Sequence, residues 1–575
     1  SPLFHVGADA PPVLFIGSSE PRFSAGRDDM VARLAEQGVA SSVMLMPDTP
    51  HSFWLFDPWL APTFDAMLAF LNQHLGRPHV LTPWIADLGN GSYQNPVLHA
   101  DYSDPDVVRV GEMFYMTSSS FSNVPGLPLL QSPDLVNWTL VGHALPQLVP
   151  AVDFTRPQPG KGVWAPCLRY HDGKFWIFYP DPDNGIYVMS ADHFAGPWSA
   201  PRLLLAGRGI IDPAPLWDDD GQAYLVHGWA KSRAGINNRL TLRTMTSDGR
   251  AITGAARVII DGQLLPGYTT LEGPKLYKRD GYYYVFAPAG GVEIGWQSVF
   301  RSRRIEGPYE DRIVMAQGST GINGPHQGAW VTAPDGHDWF IHFQDKRAYG
   351  RVVHLQPMQW NDGWPLIGAA SSVPGVGQPV ATFAKPVASV GAIAVPTTSD
   401  EFSSQALVYQ WQWDANWEPS WYSLSARPGF LRLYAQAQRP VLSQKLPAPS
   451  FTVEASVALH AKAAGDTAGL IMNGLNYAWL GVRASQLVYA QCSAGVCKEA
   501  SVAQLPIAGA PVVLRMQVGE GGVTRFWYSL DQRNFAPAGT PFTATMGRWV
   551  GAQIGLFSSG APGAWADVDY FRVTR

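Results

Sequence analysis

The sequence predicts a mainly β protein: a five-bladed β-propeller, then a jelly-roll-like β-sandwich, with a small α/β fragment ahead of both. Three observations lead there. Of 575 residues only 15% are charged, while 57 are Gly, 48 are Pro and 12% are aromatic, a composition of closely spaced turns rather than of helices. Five segments of the middle region share one plan of short strand, Gly turn and aromatic strand, and recur roughly every 50 to 60 residues, a period of propellers and solenoids. Past Asp400, runs such as FTVEASVAL, VVLRMQV and DVDYFRVTR alternate with short turns, as sandwich strands do. A net charge of -5 and a pI near 6.3 offer no basic surface to nucleic acid or anionic lipid. No stretch approaches the roughly 20 apolar residues of a membrane span.

In chain order, residues 1–76 read strand (PPVLFIGSS), amphipathic helix (GRDDMVARLAEQGV), strand (SSVMLMP), helix (FDAMLAFLNQHLG), which is α/β grammar. The two strands run out at Glu20 and His51. This resembles the C-terminal part of an α/β-hydrolase esterase, where an acid and a histidine follow the last strands. That triad needs a serine on a G-x-S-x-G elbow, and the chain has none, so no esterase activity is expected of it. An ordinary α/β appendage is the alternative. The start, SPLFHVGADAPP, lacks the charged and apolar regions of a signal peptide. Residues 77–92 form a linker, and 93–366 the propeller. Residues 367–398, rich in Gly, Ala, Val and Pro, make a second linker lying over a surface, and 399–575 the sandwich.

The five propeller units open at Asp104 (DPDVVRV), Ala165 (APCLRYHDG), Asp212 (DPAPLWDDDG), Glu272 (EGPKLYKRDG) and His326 (HQGAWV). Asp-Gly between such runs is a hairpin signal. The innermost strands of a propeller begin around one axis, so Asp104, Asp212 and Glu272 are expected to converge. Carboxylates crowded at one end of a funnel repel one another, which raises at least one pKa and lets an acid and a base coexist at one pH. The alternative for each Asp-Pro alone is a turn that uses Asp and Pro for their backbone preferences.

The ordered set NPVLHADYSDPDVVRV, GVWAPCLRYHDGKFW, GIIDPAPL, LEGPKLY, GPHQGAWV and YGRVVHLQPMQW resembles glycoside hydrolase family 43, from about Asn95 to the end of the chain. That resemblance implies an inverting, exo-acting glycosidase releasing β-D-xylosyl and/or α-L-arabinofuranosyl residues from hemicellulose oligosaccharides. Carried over by motif, Asp104 is the general base, Asp212 the pKa modulator and Glu272 the general acid. Phe121 and Trp164 are aromatic walls of the sugar subsite, or plain core. Arg351 is a buried arginine that bonds sugar hydroxyls and helps keep Asp212 ionised, or a structural ion pair. His326 matches a histidine that in relatives helps hold a water-rich calcium ion, with hydrogen bonding alone as the alternative; no other cofactor is implied. Inversion needs base and acid on opposite sugar faces, roughly 6.5–9.5 Å apart to admit a water.

Many dedicated xylosidases of the family carry an acidic-aromatic stretch after the subsite phenylalanine. Here Phe121 is followed by Ser122-Asn123-Val124-Pro125, which moves arabinofuranosidase activity level with xylosidase activity. Rival readings are a non-catalytic carbohydrate-binding propeller and the remnant of a bifunctional esterase-glycosidase. In the sandwich, Trp417 and Trp421 are candidate sugar platforms, or residues packed on the propeller. Cys492 and Cys497 flank SAGV, so a hairpin disulfide is an even alternative to free thiols, and it would imply a periplasmic or secreted protein.

Overall fold

The computed structural model describes residues 6–7, 10–20, 24, 26–50, 52–74, 82–387 and 393–575. The chain divides into two compact units, Ser1–Thr82 and Pro83–Arg575. In the first unit the strands Val13–Ser18 and Ser41–Met46 pair in parallel, Val13 opposite Ser41. The helix Arg27–Glu36 makes the crossover that parallel neighbours require. Asp28 and Asp29 sit in its first turn, where negative charge complements the helix dipole. A second helix, Leu60–His74, follows. Val43 and Leu45 remain exposed, as do Leu60, Phe64 and Met67 along an apolar groove. Glu20 is exposed just past the first strand, and its N–H bonds Ser18 Oγ at 3.1 Å. His51 lies outside the described residues.

The second unit contains five antiparallel sheets in sequence order, the blades of a propeller. Their innermost strands are Asp106–Val110, Cys167–His171, Ile210–Trp217, Lys275–Arg279 and His326–Thr332. The Asp-Gly pairs form tight hairpins. Asp172 and Gly173 lie at φ 50° and 73°, and Asp280 and Gly281 at 51° and 75°, the two consecutive left-handed residues of a type I′ turn. The ring closes between blades 1 and 5. Leu98 and Val353 exchange backbone hydrogen bonds of 3.3 and 3.0 Å, and the Asn95 side chain bonds both the N–H and the C=O of Leu355.

The described parts of the two stretches read as linkers are strapped to the propeller. Ser92–Gln94 pairs with Thr382–Ala384, and Gly377–Gln378 extends the sheet of blade 4. Lys385, almost fully buried, reaches Asp87 at 2.5 Å and Asp134 at 3.0 Å. The C-terminal part is two seven-stranded antiparallel sheets whose facing side chains, among them Leu442, Leu470, Leu480, Val453, Leu514 and Phe571, form one core.

That core also takes in Ala348, Tyr349 and Val352 of blade 5, so sandwich and propeller share apolar packing. Val124 and Trp413 exchange backbone bonds of 2.8 and 2.6 Å, and the Asn416 side chain bonds both backbone groups of Leu148. Trp421 is buried edge-on against Trp413, and Trp417 is half-buried between the two cores, so both tryptophans serve packing. Cys492 and Cys497 are joined across the hairpin, S–S 1.99 Å; Cys167 is free and buried.

Tyr349 is the polar pin of this interface. Its hydroxyl donates to the Pro449 carbonyl at 2.7 Å and accepts from the Gly522 N–H at 3.0 Å. Tyr349→Phe leaves both groups unpaired and should cost about 1–3 kcal/mol, read as a lower melting midpoint by calorimetry. An unchanged midpoint would show that the hydroxyl contributes nothing to holding the sandwich on the propeller.

Candidate active site

At one end of the propeller lies a pocket of about 350 Å³. The structure brings Asp104 from blade 1, Asp212 from blade 3 and Glu272 from blade 4 to its wall, together with Phe121, Trp164 and Arg351. The carboxylates differ in environment. Asp104 and Asp212 are 4% and 5% exposed, whereas the Glu272 side chain is 25% exposed and reaches furthest toward the opening.

Asp104 sits at φ 54°, a left-handed conformation that Asp tolerates and that turns its side chain toward the axis. Its Oδ2 accepts from the hydroxyls of Ser103 at 2.8 Å and Ser119 at 2.5 Å, and Arg351 Nη1 donates to its Oδ1 at 3.2 Å. Arg351 Nη1 also donates to Ser103 Oγ at 2.8 Å. The expectation that this guanidinium serves Asp212 is therefore corrected: it braces Asp104. The reason is the strand register, which places Arg351 beside blade 1 at the point where blades 1 and 5 close the ring.

Asp212, at φ 55°, interrupts the ladder of its blade, where the register shifts between Ile211 and Ala214. Its Oδ2 accepts the Gly273 N–H at 2.8 Å, which ties it to the residue after Glu272. Burial first, and then the charge of Glu272, push the Asp212 carboxyl up to about 8. Removing a carboxylate from water and facing it with another disfavours the charged form twice over. Asp212 therefore holds its proton at neutral pH.

Glu272 Oε1 lies 3.2 Å from His326 Nε2, and His326 is buried with Nδ1 unpartnered. Calcium takes six to eight oxygen ligands, whereas this position offers one imidazole nitrogen. Among the described residues no three His, Cys, Asp or Glu side chains gather around a metal-sized point. A calcium ion here would take most of its ligands from water.

Phe121, at φ 50°, is fixed by a two-way backbone bridge to Val163, 2.8 and 3.0 Å. The bridge depends on Gly162, at φ 82°, because a Cβ there would lie 2.3 Å from the Phe121 carbonyl oxygen. Phe121 and Trp164 lie side by side with ring centroids 6.3 Å apart and planes tilted by 59°, and the Trp164 indole N–H donates to the Gly160 carbonyl at 3.1 Å. Arg233 lies over Trp164 at 5.8 Å and is itself held by Asp183 at 3.0 Å.

Sequence reasoning missed Trp549, Trp229, Lys231 and Gln327, which also line the pocket. Trp549 comes from the sandwich, at φ 68°, with its ring edge-on to Trp164 at 6.1 Å. Nothing local in GRWVG marks it. By contrast, the hydroxyls that hold Asp104 stand in plain view in YSDP and TSSS.

Comparison with known proteins identifies both parts of the second unit. Residues 93–365 match the model of glycosyl hydrolases family 43, and residues 399–574 that of the beta xylosidase C-terminal concanavalin A-like domain. A putative beta-xylosidase of Xylanibacter ruminicola is 37% identical over 496 residues, 82% of this chain and 87% of its own. The non-reducing end alpha-L-arabinofuranosidase BoGH43B of Bacteroides ovatus is 29% identical over 418 residues, 68% of this chain and 75% of its own. The crystal structure of xylan beta-1,4-xylosidase from Bacillus halodurans superposes with a TM-score of 0.74 at 26% identity, covering 84% of this chain and 100% of that one. At 37% identity along most of both chains the relation is one of family: the chain is a glycoside hydrolase and belongs to glycosyl hydrolase family 43.

Proposed function

We propose that the pocket hydrolyses, with inversion, terminal β-D-xylosyl and/or α-L-arabinofuranosyl groups of hemicellulose oligosaccharides. The observation that carries this reading is the meeting of three carboxylates from three blades, two nearly buried and one reaching the opening. Asp104 and Glu272 stand on non-adjacent blades, which leaves room between them for a sugar ring and a water. Asp104, an acceptor fixed by two hydroxyls and a guanidinium, takes a proton from that water as its oxygen attacks the anomeric carbon. Glu272 gives its proton to the glycosidic oxygen as the C–O bond breaks. Asp212 adjoins Glu272 through Gly273, and it is Asp212 whose pKa burial and the facing Glu272 charge raise.

Phe121 and Trp164 present ring faces to the sugar's C–H groups, and Trp549 walls the leaving-group side. The named activities of the relatives, xylosidase and arabinofuranosidase, support the choice of sugar. His326 serves as a hydrogen-bond partner of Glu272, and it is the residue that would help hold a water-rich calcium ion were one bound. The Cys492–Cys497 bond supports an oxidising compartment, periplasmic or extracellular.

Rates on nitrophenyl β-xyloside, nitrophenyl α-L-arabinofuranoside and nitrophenyl acetate test the reading, which requires turnover of at least one glycoside and none of the acetate. Glu272→Gln should lose about 10² to 10⁴ in rate on natural oligosaccharides and far less on a dinitrophenyl glycoside. Asp104→Asn should be nearly inactive on both. Equal losses on both substrates for Glu272→Gln would place the acid elsewhere.

The raised Asp212 pKa predicts a falling alkaline limb of kcat/KM near pH 8. It also makes the folded chain hold a proton that the unfolded chain releases above the ordinary carboxylate range. Stability attributable to this group therefore falls as pH rises from about 4 to 8. Asp212→Asn should raise the melting midpoint at pH 7, with the gain vanishing toward pH 3, while activity collapses. A lower midpoint at pH 7 would contradict the assignment. Trp549→Ala should raise KM for xylo-oligosaccharides about tenfold, the equivalent of about 1.4 kcal/mol of lost contact, and leave a small nitrophenyl glycoside less affected. Equal effects would remove Trp549 from the leaving-group side.

A further inference from the structure

Directly beneath the pocket lies a charged cluster that the mechanism leaves unused. Asp106 opens the innermost strand of blade 1, two residues after Asp104, and is fully buried. Lys275 opens the innermost strand of blade 4, three residues after Glu272, and is equally inaccessible. Lys275 Nζ donates to Asp106 Oδ2 at 3.1 Å and to the Pro166 carbonyl at 2.7 Å. The same Oδ2 accepts the Leu168 N–H at 2.9 Å and Arg169 Nη1 at 3.2 Å. One carboxylate oxygen thus joins blades 1, 2 and 4. Among the described residues this is the only ion pair between blades 1 and 4.

A buried ion pair is a poor source of stability, because desolvation offsets its attraction and an apolar pair of similar volume often does as well. Its better-attested use is registry. Here the two strands it clamps are those that carry the base and the acid. Their separation decides whether a water fits between Asp104 and the sugar while Glu272 reaches the glycosidic oxygen. The cluster also carries a surplus positive charge, two cations to one anion, under a group of three carboxylates.

We propose that Lys275, through Asp106, is a positioning residue that sets the distance between Asp104 and Glu272. The proposal rests on the roles given to those two carboxylates above. It predicts a loss in turnover rather than in binding, because the aromatic walls of the pocket, Phe121 and Trp164, lie outside the two clamped strands.

The test compares Lys275→Met, in which Asp106 keeps Arg169 and the Leu168 N–H as partners but loses its tie to blade 4, with the double variant Asp106→Asn, Lys275→Met, which also leaves the Arg169 charge without its carboxylate. Both are assayed on xylobiose and the better nitrophenyl glycoside, with melting midpoints. The expected result is a kcat about 10- to 100-fold below wild type in both, KM within about threefold, and a midpoint lower in the double variant than in the single one. Wild-type kcat in Lys275→Met, or a kcat that falls only in step with the midpoint from the single to the double variant, overturns the proposal in favour of a purely structural pair. Should Lys275→Met not fold, Lys275→Gln, which can still donate to the Pro166 carbonyl, is read in the same way. Turnover by Asp104→Asn would instead defeat the functional reading on which the proposal rests, so the two failures are separable.

Discussion

Three like charges in one low-dielectric throat are the constraint around which the propeller is arranged. Left to themselves, Asp104, Asp212 and Glu272 would repel or take up protons indiscriminately. The surroundings treat them unequally. Asp104 receives hydroxyls and a guanidinium, Asp212 one backbone N–H, and Glu272 a histidine edge. Burial and repulsion then fall hardest on the Asp212 side of the group. Unequal environments for identical functional groups are how a site of carboxylates alone obtains both a proton donor and a proton acceptor.

The backbone carries part of this arrangement. Asp104 and Asp212 both precede proline and both lie in the left-handed region. Proline disfavours the right-handed helical conformation in the residue before it, and Asp is among the few residues at ease with positive φ. Each Asp-Pro therefore turns a carboxylate out of its strand and into the axis. Phe121, Thr270, Gln327 and Trp549, also around the pocket, share positive φ. Strained positions clustered at one site persist because five hydrogen-bonded blades and a docked sandwich hold them there.

The blades and the three carboxylates were legible because they depend on local signals that repeat: Asp-Gly turns, aromatic strands, and an acid at the head of an innermost strand. What depends on partners distant in sequence was not. The run WDDDG reads as a solvated turn, yet Asp218 is buried and accepts from Lys278 and from the Tyr283 hydroxyl of the next blade. Asp183, which reads as a turn residue, orients Arg233 over Trp164. Arg351 was placed at the site by its motif, but its partner depended on how blades 1 and 5 meet, which no single blade encodes.

The same limit explains why the sequence does not single out the sandwich residue that reaches the pocket, Trp549. Asp101, buried three residues before Asp104, accepts the Arg351 N–H at 2.9 Å and the Gly551 N–H at 2.8 Å. Gly350, at φ 73°, lies so close that a Cβ would meet the Asp101 carboxyl carbon at 2.4 Å. One buried carboxylate therefore fixes two things together: the start of the strand that aims Arg351 at Asp104, and the sandwich loop that carries Trp549. Burial drives the Asp101 pKa upward, and the two N–H donors oppose that shift. Displacing the loop would strip a donor from a buried carboxylate, a cost that keeps the loop seated. Trp549 on the pocket wall and the guanidinium on Asp104 are thus held by one acceptor, and the sandwich contributes to the wall of a pocket built mostly by the propeller.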